Sequence, residues 1–335
     1  MKQAFRNFLV AAAGTVLIAA CGGSSDDGGG LTGGTSGVAP AVITSQNAPD
    51  IAGVVADVAL GQGIFTSIIT PGLPFTAGGP DVAFAPVMKP ILSATMKTAA
   101  PSQLYATSAG RENCAVSGTV DVELNISDPA QPSISDTFAF EFSNCDEGTG
   151  VVVDGAMTIT IVGIGGDAAS GNFLLGMQIE FSAFAVTEGG ETASATGTIN
   201  IEIDTTDPLV TTIAVSTSTL VTTSAGTEEV LTNFTVEITE DASTFPVAVT
   251  VDTSFTISSP RIDGSVTVTT SLSLQSMGED YPFVGELRIE GADGAVIVMI
   301  ALDANTVRLE IDIDGDGAVD DTIDLTWDEL MGATG

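Results

Sequence analysis

From Val116 onward the chain alternates apolar and polar residues with a period of two and keeps that period almost to its end. Eight segments carry it: VSGTVDVELNIS (116–127), DTFAFEFSNC (136–145), VDGAMTITIVG (153–163), ATGTINIEID (195–204), LTNFTVEITED (231–241), IDGSVTVTTSLSLQ (262–275), FVGELRIEG (283–291) and VRLEIDID (307–314). Each sets Val, Ile, Leu, Phe or Met against Thr, Ser, Asp or Glu, which predicts half-buried antiparallel strands. Runs such as TED, SPRIDG and EGADG between them suit hairpins and argue against helical crossovers. A glycine precedes or opens an alternating run at Gly118, Gly155, Gly197, Gly264 and Gly285. Intervals of 37, 42, 67 and 21 residues are too uneven for a propeller or solenoid. Such glycines predict bends or bulges that curl a long meander.

The period is different before Arg111. NAPDIAGVVADVALG offers Asn47 as a helix cap, Pro49 and Asp50 in the first turn, Ile51, Val54, Val55 and Val58 on one face, and Gly61 as a stop. That spacing predicts a short amphipathic helix that must pack on something. PVMKPILSATMKTAAP (86–101) is a weaker helix candidate, with Ile91, Leu92 and Met96 on one side. The expected fold is mainly β: a long antiparallel meander forming a curved, partly open, barrel-like sheet, with a helical and irregular segment (38–111) packed on a β-rich domain (112–335). Two successive β-sandwiches divided near Thr206 are the alternative.

The first residues suggest an address. MKQAFRNFLVAAAGTVLIAAC places Lys2 and Arg6 before an apolar run, Phe8 to Ala20, that is too short for a lasting membrane span. Residues 1–20 therefore read as a secretory signal. Ile18, Ala19 and Ala20 ahead of Cys21 resemble the lipobox of bacterial lipoproteins, a likeness that covers about the first 21 residues. It implies lipidation of Cys21 with palmitate and diacylglycerol chains, and three chains hold a protein to a membrane firmly. Gly22, where an aspartate would favour inner-membrane retention by the enteric rule, implies an outer-membrane destination. The facing side, periplasm or surface, stays open. GGSSDDGGGLTGGTSG (22–37) then reads as a flexible tether.

Charge narrows the partners. Removing residues 1–20 takes away Lys2 and Arg6 and leaves 43 acidic residues against six basic ones, a formal charge of about −37. Such a chain does not suit nucleic acid, which needs a basic surface. One Trp and two Tyr cannot build the two aromatic girdles of a membrane-spanning barrel. Cys114 and Cys145 each flank a strand-like run, and in an oxidising compartment they are expected to form a structural disulfide.

No histidine occurs, which removes Ser-His and Cys-His catalysis and the usual zinc sites. Ser93 and Lys97 have the wrong spacing for an SxxK pair. GIGGDAASG (163–171) lies between alternating runs and reads as a hairpin connection, not a nucleotide loop. Paired carboxylates for glycoside hydrolysis cannot be singled out among 43 acids, so a non-enzymatic protein is expected.

One motif carries metal chemistry. In LEIDIDGDGAVDDTIDLTW, Asp312, Asp314, Asp316, Gly317 and Asp320 follow the front of an EF-hand or dockerin-type calcium loop, with Asp321 as a further acid. Position twelve, where that family places a bidentate acid, is Ile323, and strands replace the flanking helices. Two readings stand: a calcium loop, or a solvated acidic hairpin turn. The body resembles β-rich lipoproteins of Gram-negative bacteria in layout. That likeness implies a lipid-anchored envelope protein with a structural or surface-interaction role. The alternative is a carrier of a lipid or other hydrophobic ligand, lined by Phe138, Phe140, Phe142, Phe173, Phe181 and Phe184.

Overall fold

The computed structural model describes residues 38–60, 107–127, 133–146, 148, 150–167, 172–224, 226–278 and 281–332. The expected signal segment, Cys21, the expected tether and the second helix candidate (86–101) lie outside them, as do Gly61, Ser93 and Lys97.

Fourteen strands form one antiparallel sheet, and every strand pairs with its neighbours in sequence. They are β1 (Thr107–Asn113), β2 (Ser117–Asn125), β3 (Thr137–Asp146), β4 (Val151–Asp167), β5 (Asn172–Glu188), β6 (Glu191–Asp207) and β7 (Val210–Ser224). They continue with β8 (Thr227–Asp241), β9 (Ala248–Ser259), β10 (Gly264–Ser276), β11 (Val284–Glu290), β12 (Val296–Ala301), β13 (Thr306–Asp312) and β14 (Asp321–Thr326). Helix α1 (Ala48–Ala59) precedes the sheet and α2 (Trp327–Gly332) follows it.

The sheet is curved and open: among the described residues β1 and β14 form its two edges and do not pair with each other. The two-sandwich alternative fails where it would divide the chain, since β6 continues through Thr206 and pairs with β7. The β region also begins earlier than residue 112, because Thr107–Asn113 is already a strand.

Alternation gives the sheet an apolar face. Across one row the partners run Val122, Phe140, Met157, Phe181, Gly197, Leu220, Leu231, Ile257 and Val266, with registers fixed by pairing at each step. A second row joins Ile203, Ile213, Ile238, Val251 and Leu274. A slip of one residue would turn either row to the opposite face, so burial fixes the register.

Curvature comes from the glycines. Gly118, Gly155, Gly197, Gly264 and Gly285 all have positive φ, and Gly118, Gly155 and Gly197 stand where the pairing register shifts. A Cβ at Gly155 would collide with the carbonyl oxygen of Ala183, and one at Gly197 would lie 2.5 Å from the Thr219 carbonyl oxygen. With their partners these positions make a line of bulges across the long strands, where each strand bends and twists more sharply. Gly264 has another use. Pro40 bridges Ser265, Ala41 N–H donates to the Ser265 carbonyl at 2.8 Å, and a Cβ at Gly264 would lie 2.8 Å from the Ala41 Cα.

Helix α1 starts after Asn47, but the Asn47 side chain faces backward instead of capping the helix. Its Oδ1 accepts from Thr44 N–H at 2.8 Å, and its Nδ2 donates to the Val42 carbonyl at 2.8 Å. The helix is buried beyond the predicted face: Ala48, Ala52, Gly53 and Ala56 are buried along with Ile51, Val54 and Val55, whereas Val58 is half-buried. Small residues allow neighbours to approach closely, and α1 packs on α2, β12, β13 and the β9–β10 turn.

Candidate functional site

The acidic hairpin sits between β13 and β14, paired in regular register up to Ile311 and Asp321. Carboxylate oxygens of Asp312, Asp314 and Asp320 lie within 4.8 Å of one another. Among the described residues, Asp316 and Asp321 stand outside that group. The loop holds its own shape: Gly315 N–H and Gly317 N–H donate to the two oxygens of Asp312 at 2.8 and 2.9 Å, and Ile313 N–H donates to Asp320 at 2.8 Å. Asp316 N–H donates to Asp314 at 3.2 Å, and Ala318 N–H to Asp316 at 2.7 Å. Gly315 and Gly317 take positive φ, and a Cβ on Gly315 would lie 2.9 Å from the Gly294 carbonyl oxygen. The loop thus leans on the β11–β12 turn.

Three carboxylates offer hard oxygen ligands, but calcium takes six to eight. The twelfth position cannot add one, since Ile323 pairs with Leu309 in β14 and packs on the core. What the geometry provides is a group of three carboxylates in a loop closed by its own backbone donors, on a strand frame.

At the same end of the strands, Cys114 and Cys145 form a disulfide, with Cα atoms 5.4 Å apart and a sequence separation of 31. It joins the end of β1 to the end of β3.

The expected ligand-lining phenylalanines mostly pack on each other. Phe140 stacks with Phe142 at 6.3 Å, Phe142 meets Phe184 edge-on at 6.0 Å, and Phe181 lies 5.6 Å from Phe184. Those four are buried, while Phe138 and Phe173 are half-buried. Trp327 is buried too. It stacks on Tyr281 at 5.6 Å and donates to the Asp303 carbonyl at 3.3 Å.

Sequence reading did not bring together Asp57, Glu229 and Arg261. Arg261, in the β9–β10 turn, donates to Glu229 on β8 at 2.7 Å and lies 3.7 Å from Asp57 on α1. Ser259 adds a hydrogen bond to Glu229 at 2.9 Å. Asp57 is only 8 % exposed. Burial pushes its carboxyl above the usual value, Arg261 pulls it back, and the Glu229 charge pushes it up again. Two acids share one guanidinium, and the group pins α1 to the sheet. The other described arginines are also committed, Arg111 to Asp121, Arg288 to Glu290 and Arg308 to Asp324. Among the described residues no helix is long and apolar enough to cross a membrane.

No protein-family model matches this chain, and neither a curated protein nor a solved structure shows significant similarity to it.

Proposed function

We propose that the chain is a lipid-anchored protein of the cell envelope, held at the outer membrane through Cys21, with a non-enzymatic structural or surface-interaction role. The observation that carries this reading is the order Ile18-Ala19-Ala20-Cys21, then a Gly/Ser-rich stretch, then a folded body from Val38. The lack of histidine and the commitment of the described arginines to carboxylates support a non-catalytic body. The test is metabolic labelling with an alkyne fatty acid. The wild-type chain is expected to take up label and sediment with membranes, and Cys21→Ser to lose both; an unlabelled wild-type chain would refute the anchor.

A carrier of a hydrophobic ligand is the second reading. It is favoured by Phe138, Ile159, Met177, Ile203, Ile238 and Val251, which border the core yet are only half-buried. Organic extraction of the purified protein followed by mass spectrometry tests it, and an extract without stoichiometric lipid rejects it.

A further inference from the structure

At the end of the sheet opposite the acidic hairpin, the tips of consecutive hairpins carry apolar side chains into solvent. Leu209 stands in the β6–β7 turn, Phe245 and Val247 in the β8–β9 loop and Met277 after β10. All are exposed, and Phe245 is 99 % exposed. Scattered exposed apolar residues are ordinary on protein surfaces. These tips are joined: Ala242 N–H donates to the Leu209 carbonyl at 2.7 Å, and a Cβ at Gly278 would lie 3.6 Å from the Pro246 ring.

The loop that carries Phe245 is braced. Ser243 N–H donates to Asp241 at 2.8 Å, the Thr244 hydroxyl to the Pro246 carbonyl at 3.0 Å, and Ala248 N–H to the Thr244 hydroxyl oxygen at 3.2 Å. A loop already braced by its own hydrogen bonds loses little backbone freedom when the aromatic it carries is covered, which favours an interface anchor.

The surroundings choose the partner. Asp207 accepts from Leu209 N–H and Asp241 from Ser243 N–H, so both carboxylates stand at the border of the apolar tips. Hydrogen bonds from the Ser243 side chain and backbone hold Asp241 below the usual carboxylate range, so it stays charged. Every described arginine is held elsewhere. An anionic bilayer, or a second copy with net charge −35, would bring like charge to this border. A protein surface with an apolar socket edged by Lys or Arg would bring the opposite charge.

We propose that Leu209, Phe245 and Val247, bordered by Asp207 and Asp241, form a docking surface for a protein partner with a basic-rimmed apolar socket. This narrows the interaction role proposed above and rests on it, but the two fail separately, because Cys21 tests the anchor and Phe245 tests the surface.

The experiment is photocrosslinking in producing cells, with benzoylphenylalanine placed at Phe245 in the full chain and, as a control, at Val42, which is 66 % exposed beside the β9–β10 turn. A discrete protein adduct is expected from the Phe245 position alone. The captured protein, purified, is expected to bind the wild-type chain with affinity falling about tenfold or more for Phe245→Asp, and again as salt rises from about 0.1 to about 0.5 M. Phe245→Ser, which adds no charge, is expected to lose affinity too and keeps the test valid if the aspartate variant misfolds. An adduct to phospholipid, a dimer of this chain, no adduct above the control, or a partner indifferent to both substitutions would overturn the proposal.

Discussion

Gly155 shows how much single positions decide in this sheet. With φ of +88° and the Ala183 carbonyl where a Cβ would go, it meets both conditions that exclude a side chain. Gly155→Ala is therefore expected to cost about 2 to 3 kcal/mol in urea unfolding, against about 1 kcal/mol for Gly189→Ala, whose φ is also positive but which faces open space. Equal losses at the two sites would show that the crease tolerates a side chain. The bending role of such glycines was legible from their place before or within alternating runs. The Asn47 side chain was not, since a backward bond to Thr44 and a forward cap use the same residue types. Ile323 stands where an EF-hand would place an acid, and its packing on the core explains why an apolar residue stands there.

At the scale of elements, the alternating strands and helix α1 were readable and several other elements were not, for separate reasons. β12 (VIVMIA) is apolar at every position, so it has no polar face to mark a period. β5 opens with Phe173-Leu174-Leu175, and β7 is rich in Thr and Ser that sit on either face. Helix α2 hid behind a strand-like run, although its signal was present: Thr326 and Glu329 exchange hydrogen bonds at 2.8 and 3.1 Å as a capping box. The disulfide was legible from two cysteines beside strands. Replacing both Cys114 and Cys145 by Ser is expected to destabilise by about 3 to 4 kcal/mol in chemical denaturation, and no change in midpoint would show that the bond constrains little. The Asp57 group was hidden because its members lie in a helix, a strand and a distant turn. Folding favours the protonated form of Asp57, so its contribution is fully present below the unfolded pKa and is lost as pH rises through the folded one. Asp57→Asn should therefore melt higher relative to wild type at neutral pH than at about pH 4. A difference that does not vary with pH would remove burial of this charge as the cause.

For the whole molecule, net charge is the dominant fact, and composition alone revealed it. Forty-three acids face eight basic residues, yet the acidic hairpin keeps three carboxylates together by giving them backbone N–H partners. Those donors give the loop support from within the chain itself. Chelation is expected to leave the melting temperature within about 1 °C, and a rise of several degrees on adding calcium would instead make the hairpin a metal site.

Strand order also sets a schedule for a chain that emerges from its amino end. Each hairpin can zip onto the preceding one with only a short loop to close, and no strand waits for a remote partner. Among the described residues the late events concern the first part of the body. Pro40 must meet Ser265, Asp57 must meet Arg261, and α1 must meet β12, β13 and α2, all made of residues more than 200 positions later. The first described segment of the body is thus the last to settle, and its arrival locks a sheet that has already assembled in order.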